Sequence, residues 1–311
     1  MPKAEGRMPK ASGPNEGMPK ASMPNASMPN GRMLNASALN RGVPKAFVVA
    51  TLAIVWMLWV VVPMAVSLIS VEQEIDVGRQ ANQQVKKQTP EVTDPAVLAY
   101  VREIGRVLAA RAVGPRYPFS YSIANYREIN AFALPGGPVW VNRGVMEAAR
   151  NESQLVSVLA HETAHISERH AADQLTKAMV ANGLLALLGA VLGNDGGART
   201  AQIAARFVAG GYMLKFSRDD ERAADRVGAQ LMRRAGWDNR GMLEFMRTLR
   251  EKQGRDPSNV EVFLSTHPAP AGRITELQRV VRAGGRRDSA RFQRIRQRLG
   301  RMSPAKPMPR E

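Results

Sequence analysis

The stretch Leu159 to His170 reads LAHETAHISERH and gathers three of the four histidines of the 311-residue chain within ten positions. Around it, Leu155, Val156, Leu159, Ala160, Ala164 and Ile166 recur at spacings that suit a largely buried helix. On a helix, His161 and His165 stand about 40° apart around the axis, so both imidazoles leave the same face one turn apart. Two ring nitrogens so placed can bind one ion at about 2.0 Å. Glu162 then lies to the side, where its carboxylate can meet a metal-bound water rather than the metal. The pattern asks for one rigid helix that carries two ligands and a general base. A solvated helix with fortuitous histidines is the competing reading, and the small Ala160 and Ala164 with their apolar neighbours argue against it.

A catalytic zinc takes three protein ligands and keeps one position open. The chain has no cysteine, which removes thiolate ligands, a cysteine nucleophile and disulfides, and leaves His, Asp and Glu as donors. In FSRDDERAADRVGAQLM, Glu221 and Asp225 sit one helical turn apart with Ala223, Ala224, Val227 and Leu231 around them. Glu221 can complete a His–His–Glu set, and Asp225 can accept the remaining ring N–H of a ligating histidine and fix its tautomer. The alternative is an acidic solvated helix, since Asp219 and Asp220 adjoin. His267, in THPAPAGR, is a candidate catalytic donor to the oxygen of a reacting carbonyl, or a ligand that fills the open position at rest. A structural histidine ahead of a helix reads as well from the same residues. Arg169 and His170 are expected to hold the helix end rather than touch substrate.

Composition separates this middle from the ends. The net charge is +17, but residues 1–45 carry seven Lys or Arg against two acids and residues 282–311 carry ten against two, which leaves +4 between them. Basic ends explain the charge without a specific nucleic-acid site, which is therefore not expected. Residues 1–45 repeat units such as MPKAS and MPNAS and hold almost no large apolar side chains. They read as a disordered tail, or as translated upstream sequence with Met33 as the true start. A run without charge follows between Lys45 and Glu72. As a helix it exceeds the roughly 30 Å of a bilayer core, so 46–70 is expected to be a transmembrane anchor, with a cleaved signal as the alternative. Arg41 and Lys45 precede it and Glu72, Glu74 and Asp76 follow it, which keeps the N-terminus inside and exports the remainder.

Downstream, VEQEIDVGRQANQQVKKQ and AVLAYVREIGRVLAARA have helical spacing, and Asp94-Pro95 supplies a start signal for the second. FSYSIA alternates, and INAFALPGGPVWVNRG reads as two short strands around PGGP, with PVWVN as a possible edge for an extended substrate or an ordinary hairpin strand. Helices then run from Glu152 almost to the end. The expected class is α+β, a mostly helical domain with a small sheet, preceded by one transmembrane helix. The divisions are 1–45 (disordered repeat tail), 46–70 (transmembrane anchor or signal sequence), 71–282 (the domain that carries the histidines) and 283–311 (basic C-terminal tail). In the last of these, Phe292, Ile295 and Leu299 share one helix face suited to packing or docking. The apolar run from Ala178 to Gly193 reads as half of a helical hairpin over the site.

HETAHISERH followed by SRDDERAAD and THPAPAGRI, with EQEIDVGRQ and NAFALPGGPVWVNRG ahead of and among them, resembles the gluzincin metalloendopeptidase family that contains the CAAX prenyl endopeptidase and heat-shock protein X. The likeness is strongest to its periplasmic or single-anchor bacterial members and covers roughly residues 71–282. It implies a zincin-type, minigluzincin-like domain holding one Zn2+ through His161, His165 and Glu221, with Glu162 as catalytic base. On that basis the chain is expected to be a membrane-anchored endopeptidase in envelope protein quality control, at the bacterial inner membrane and facing the periplasm, or soluble there after signal cleavage. Its expected partners are misfolded or unassembled envelope polypeptides and, through the anchor, the membrane. The multi-span chamber of the prenyl endopeptidase is missing, which argues against prenylated substrates. A chaperone or assembly factor that uses the same groove without obligatory cleavage is the alternative.

Overall fold

A computed structural model describes residues 67–181, 215–267 and 270–309. The repeat tail expected over 1–45, and the apolar run beyond Ala181, lie outside the described residues.

Two capped helices open the fold. Helix α1 (Val71–Gln88) begins at a capping box in which Ser70 and Gln73 each bond the other's backbone N–H. Helix α2 (Pro95–Ala109) begins at Asp94, whose carboxylate accepts from the N–H groups of Ala96 and Val97. Strands β1 (Ser120–Ala124), β2 (Ala131–Ala133) and β3 (Pro138–Asn142) form a sheet in the order β1-β3-β2. Strand β3 runs parallel to β1, with Tyr121 opposite Val139, and antiparallel to β2, with Phe132 opposite Trp140. The body continues with α3 (Arg143–Ala148), α4 (Glu152–Ser167), α5 (His170–Ala181), α6 (Arg218–Arg234), α7 (Arg240–Arg255), α8 (Pro257–Thr266), α9 (Pro270–Val280) and α10 (Ala290–Gly300).

The period of two along β3 sorts its side chains into two cores. Trp140 joins Phe132, Leu134 and Ala124 under Val77, Ala81 and Val85 of α1. Phe132 stacks on Trp140 with ring centroids 6.2 Å apart, and the indole N–H donates to Asn82 at 2.9 Å. Val139 and Val141 point to the other side, into the main core with Leu155, Val156 and Leu159 of α4. The sheet is therefore a layer between α1 and the helical body. Helix α1 can lie against the turn after β2 because residue 78 is glycine: a Cβ there would stand 1.7 Å from the Pro135 carbonyl oxygen.

Three expectations change. PVWVN is not an edge: β3 is the central strand, bonded on both sides, and β2 closes the sheet on the side of α4. The expected anchor lies outside the described residues as far as 66, and its last residues belong to the folded domain. Leu68 N–H donates to Thr176 at 3.1 Å, Ile69 is buried, and Ser70 caps α1. Among the described residues no helix is long and apolar enough to cross a membrane. The transmembrane helix, the membrane as partner and the inner-membrane location that rested on it are not retained. The basic segment after 282 is also more than a tail, because Phe292, Ile295 and Leu299 of α10 are buried in the main core. Its preceding loop closes the start of α4, with Asp288 accepting from Glu152 N–H at 3.1 Å and the Arg287 carbonyl from Ser153 N–H at 2.9 Å.

Candidate metal centre

Helix α4 brings His161, Glu162 and His165 into the interior, and α6 lies against it with Glu221 and Asp225 on the facing side. Close approach depends on small residues along the contact: Ala160 and Ala164 on α4, Ala224 and Gly228 on α6. A Cβ at Gly228 would be 3.2 Å from the Ala160 carbonyl oxygen. The start of α6 is fixed by a second capping box, Ser217 with Asp220. Just before it, Phe216 stacks on the His165 ring at a centroid distance of 3.9 Å.

His161, His165, Glu221 and His267 each offer one ligand atom, all within 4.8 Å of one another, and all four residues are buried. The Nε2 atoms of His161 and His165 are 3.0 Å apart. Two bonds of about 2.0–2.1 Å diverging from one ion give a comparable separation, about 3.3 Å at the tetrahedral angle. Glu221 reaches His165 Nε2 at 3.3 Å through Oε1 and His161 Nε2 at 3.5 Å through Oε2. His267, at the C-terminal end of α8, places Nδ1 2.8 Å from Glu221 Oε1 and Nε2 3.6 Å from Glu162 Oε1. Both oxygens of Glu162 are buried without a hydrogen bond among the described residues. A carboxylate left unbonded in the interior beside three histidines is costly unless a cation and water complete its surroundings. The nitrogen-and-oxygen donor set, without thiolates, suits zinc.

A second layer holds these groups. Asp225 Oδ1 is 3.2 Å from His161 Nδ1, so His161 can give that N–H to Asp225 and keep Nε2 for the ion. His170 Nδ1 is 2.9 Å from His165 Nδ1 and can act in the same way on the second ligand. The turn that brings His170 back is made at Arg169, which has φ 61°. This left-handed conformation, usually taken by Gly or Asn after a helix, is held here by the Arg169 guanidinium on Glu74 and on the Ile69 carbonyl. Sequence reasoning missed Arg273. From α9 its side chain enters the interior, donates twice to Asp225 at 2.7 Å and pairs with Glu221. The available signal was an arginine one position before Ile274 on the face that also buries Leu277 and Val281.

The electrostatics agree with a site built for a cation. Burial pushes the Glu162 carboxyl above the usual carboxylate range, against the pull of His267 and His161. Burial would also lower His161, but the carboxylates of Asp225 and Glu221 beside its ring outweigh this and hold it at about 9. His165 is pushed well below the ordinary histidine value, by burial first, and His170 falls to about 4 for the same reason. Glu221 resists burial and stays well below its ordinary value because His267, His161 and His165 surround it.

A model of peptidase family M48 matches residues 95–281, which span every ligand named above. The chain belongs to peptidase family M48. Its buried cluster is accordingly the zinc site of a metallopeptidase, with room for one Zn2+ among His161, His165, Glu221 and His267. Among its relatives in this family is the β-barrel assembly-enhancing protease of Escherichia coli K12, 32% identical over 219 residues, or 68% of this chain and 44% of that protein. The putative β-barrel assembly-enhancing protease of Vibrio cholerae serotype O1 is 33% identical over 70% of this chain and 46% of its own length. The mitochondrial metalloendopeptidase OMA1 of Schizosaccharomyces pombe is 33% identical over 48% of this chain and 42% of its own. The M48 chain described here therefore spans less than half the length of these curated relatives.

Proposed function

We propose that this M48 chain is an assembly factor that binds extended segments of unassembled polypeptides over its zinc site, with a peptidase centre that cleaves them when His267 gives way. The observation that carries the reading is the place of His267. It lies within ligand reach of the same point as His161, His165 and Glu221 and could fill the position that a three-ligand catalytic zinc keeps open, which would make holding a polypeptide and cutting it separable. The names of its relatives point to β-barrel proteins as the class assembled. This reading replaces the membrane-anchored one, for which no spanning helix was found among the described residues.

His161, His165 and Glu221 would hold the ion, with Asp225 and His170 orienting the two rings. When bound, zinc supplies a Lewis acid for the peptide carbonyl and lowers the pKa of water towards about 7. Glu162 is the proton carrier. Its buried, unbonded carboxylate accepts the proton of an attacking water and returns it to the leaving nitrogen. A raised pKa suits that exchange, since it makes the carboxylate a better base towards the water while the carboxyl stays acidic enough to protonate an amine. An extended segment could lie along β2, the outer strand beside α4.

The test compares wild type, Glu162→Gln and His267→Ala for binding and cleavage of an unfolded β-barrel polypeptide. Equal binding by wild type and Glu162→Gln, cleavage lost in Glu162→Gln, and faster cleavage by His267→Ala are expected. Cleavage by Glu162→Gln at the wild-type rate, or failure of every form to bind, would overturn the reading.

A further inference from the structure

Helix α10 buries Phe292, Ile295 and Leu299 and turns a different stripe outward. Arg291, Arg294, Arg298 and the capping Arg301 fall within about 80° of one another at 100° per residue. They line an open groove of 680 Å3 whose opposite wall is the first turns of α2. Two of the four already hold carboxylates: Arg298 bonds Asp94 of that wall at 2.6 Å, and Arg291 bonds Glu103, farther along α2, at 2.7 Å. The alternate two, Arg294 and Arg301, are exposed and have no ion pair among the described residues. Ala99, Ile295 and Met302 supply an apolar floor. All of α10 lies beyond the residues that the family model matches.

Four guanidinium groups against two carboxylates leave the groove with a surplus of two positive charges. Seven helical residues separate Arg294 from Arg301, about 10.5 Å along the axis, or about three residues of extended chain. Two free charges at that spacing suit a few carboxylates on a polypeptide better than a duplex, whose charges recur about every 1.7 Å. The concave shape and apolar floor suit side chains that enter, whereas a bilayer presents a flat face. Arginine is also the side chain that takes carboxylates in paired hydrogen bonds.

We propose that this groove is an exosite for an acidic, extended polypeptide segment, two of whose carboxylates pair with Arg294 and Arg301 while its apolar side chains cover Ala99, Ile295 and Met302. The proposal rests on the reading of the chain as a polypeptide-binding peptidase, and names the chemistry of the segment recruited.

The test is fluorescence anisotropy on the full chain with a labelled peptide carrying Asp or Glu three residues apart, against its Asn/Gln counterpart. An uncharged unfolded polypeptide serves as a separate ligand for the zinc groove. Arg294→Glu/Arg301→Glu, and the milder Arg294→Gln/Arg301→Gln, should each weaken the acidic peptide about tenfold or more, as expected for two charge-assisted contacts. They should leave binding and cleavage of the uncharged polypeptide unchanged, and added salt should weaken the acidic peptide in wild type. Equal affinity for the acidic and amide peptides, or unchanged affinity in both variants, overturns the exosite while the zinc-groove reading stands. Failure of wild type to bind either ligand overturns both. Capture of phosphatidylglycerol vesicles or an oligonucleotide through the same arginines, with no capture of the acidic peptide, also overturns the proposal.

Discussion

Glu152 offers a test of how the zinc helix is held. It is the first residue of α4, its side chain is 4% exposed, and its carboxylate accepts four hydrogen bonds. Tyr100 and Ser289 donate to Oε1, each at 2.8 Å, while Trp237 and Arg286 donate to Oε2 at 2.9 and 2.7 Å. One carboxylate thereby joins α2, the α6–α7 connection and the 286–289 loop at the positive end of the helix that carries His161 and His165. Glu152→Gln keeps the volume and turns an NH2 group towards two of these donors. Arg286 is half exposed and can turn to water, so its loss counts for about 0–1 kcal/mol. The indole of Trp237 is buried and cannot, at about 1–3 kcal/mol for an unpartnered N–H. With weaker neutral bonds to Tyr100 and Ser289, the expected total is about 3 kcal/mol, or a fall in Tm of roughly 6–12 °C for a domain of this size.

The same carboxyl fixes a pH dependence. Burial raises it, but the bonds from Trp237, Ser289 and Tyr100 outweigh burial and hold it below the ordinary glutamate value. A depressed folded-state pKa contributes stability above the unfolded value, and that stability is lost as the pH falls through the folded pKa. The gap between wild type and Glu152→Gln should therefore be full at pH 7 and shrink from about pH 5 downwards. Urea unfolding followed by tryptophan fluorescence reads both quantities. A midpoint unchanged by the substitution, or a gap as wide at pH 3.5 as at pH 7, would refute the reasoning.

Three further outcomes follow from the packing. Arg273→Met should destabilise the metal-free chain by about 3–5 kcal/mol, because Glu221 and Asp225 lose their buried counter-charge; added zinc should recover part of it in thermal unfolding with and without chelator. His170→Phe should leave the fold intact and weaken zinc binding about 10–100-fold in a competitive chelator titration, since His165 loses the partner that orients it. Gly78→Ala should cost at least about 2 kcal/mol in urea unfolding, as its Cβ would meet the Pro135 carbonyl oxygen at 1.7 Å and α1 would have to shift off the sheet.

The legible parts of this molecule are those in which one helix carries the information. HETAH and the Glu221–Asp225 pair each lie within one turn, so helical geometry alone sets their faces, and the two helices meet through small residues written beside them. What escaped depends on contacts between distant segments. The central place of β3 follows from a parallel pairing with β1, and strands of five residues carry no local sign of which neighbour they take. Arg273 carries no local mark, since nothing nearby in sequence says that two buried carboxylates await it. The ten basic residues after 281 drew attention to charge, whereas three apolar residues on one face of α10 place that segment in the core. The uncharged run before Glu72 has no break in its apolar pattern, but capping at Ser70 and the side-chain bond to Leu68 put its last residues in the domain.

The central claim is that His161, His165 and Glu221 hold one zinc ion that Glu162 serves without binding. Metal analysis of purified wild type, Glu162→Gln and Glu221→Gln, each after dialysis against a trace of zinc, tests it most directly. One zinc per chain in wild type and in Glu162→Gln, with most of it lost from Glu221→Gln, is the predicted result. A wild type that takes up no zinc, or a Glu221→Gln variant that holds it as firmly as wild type, would contradict the account.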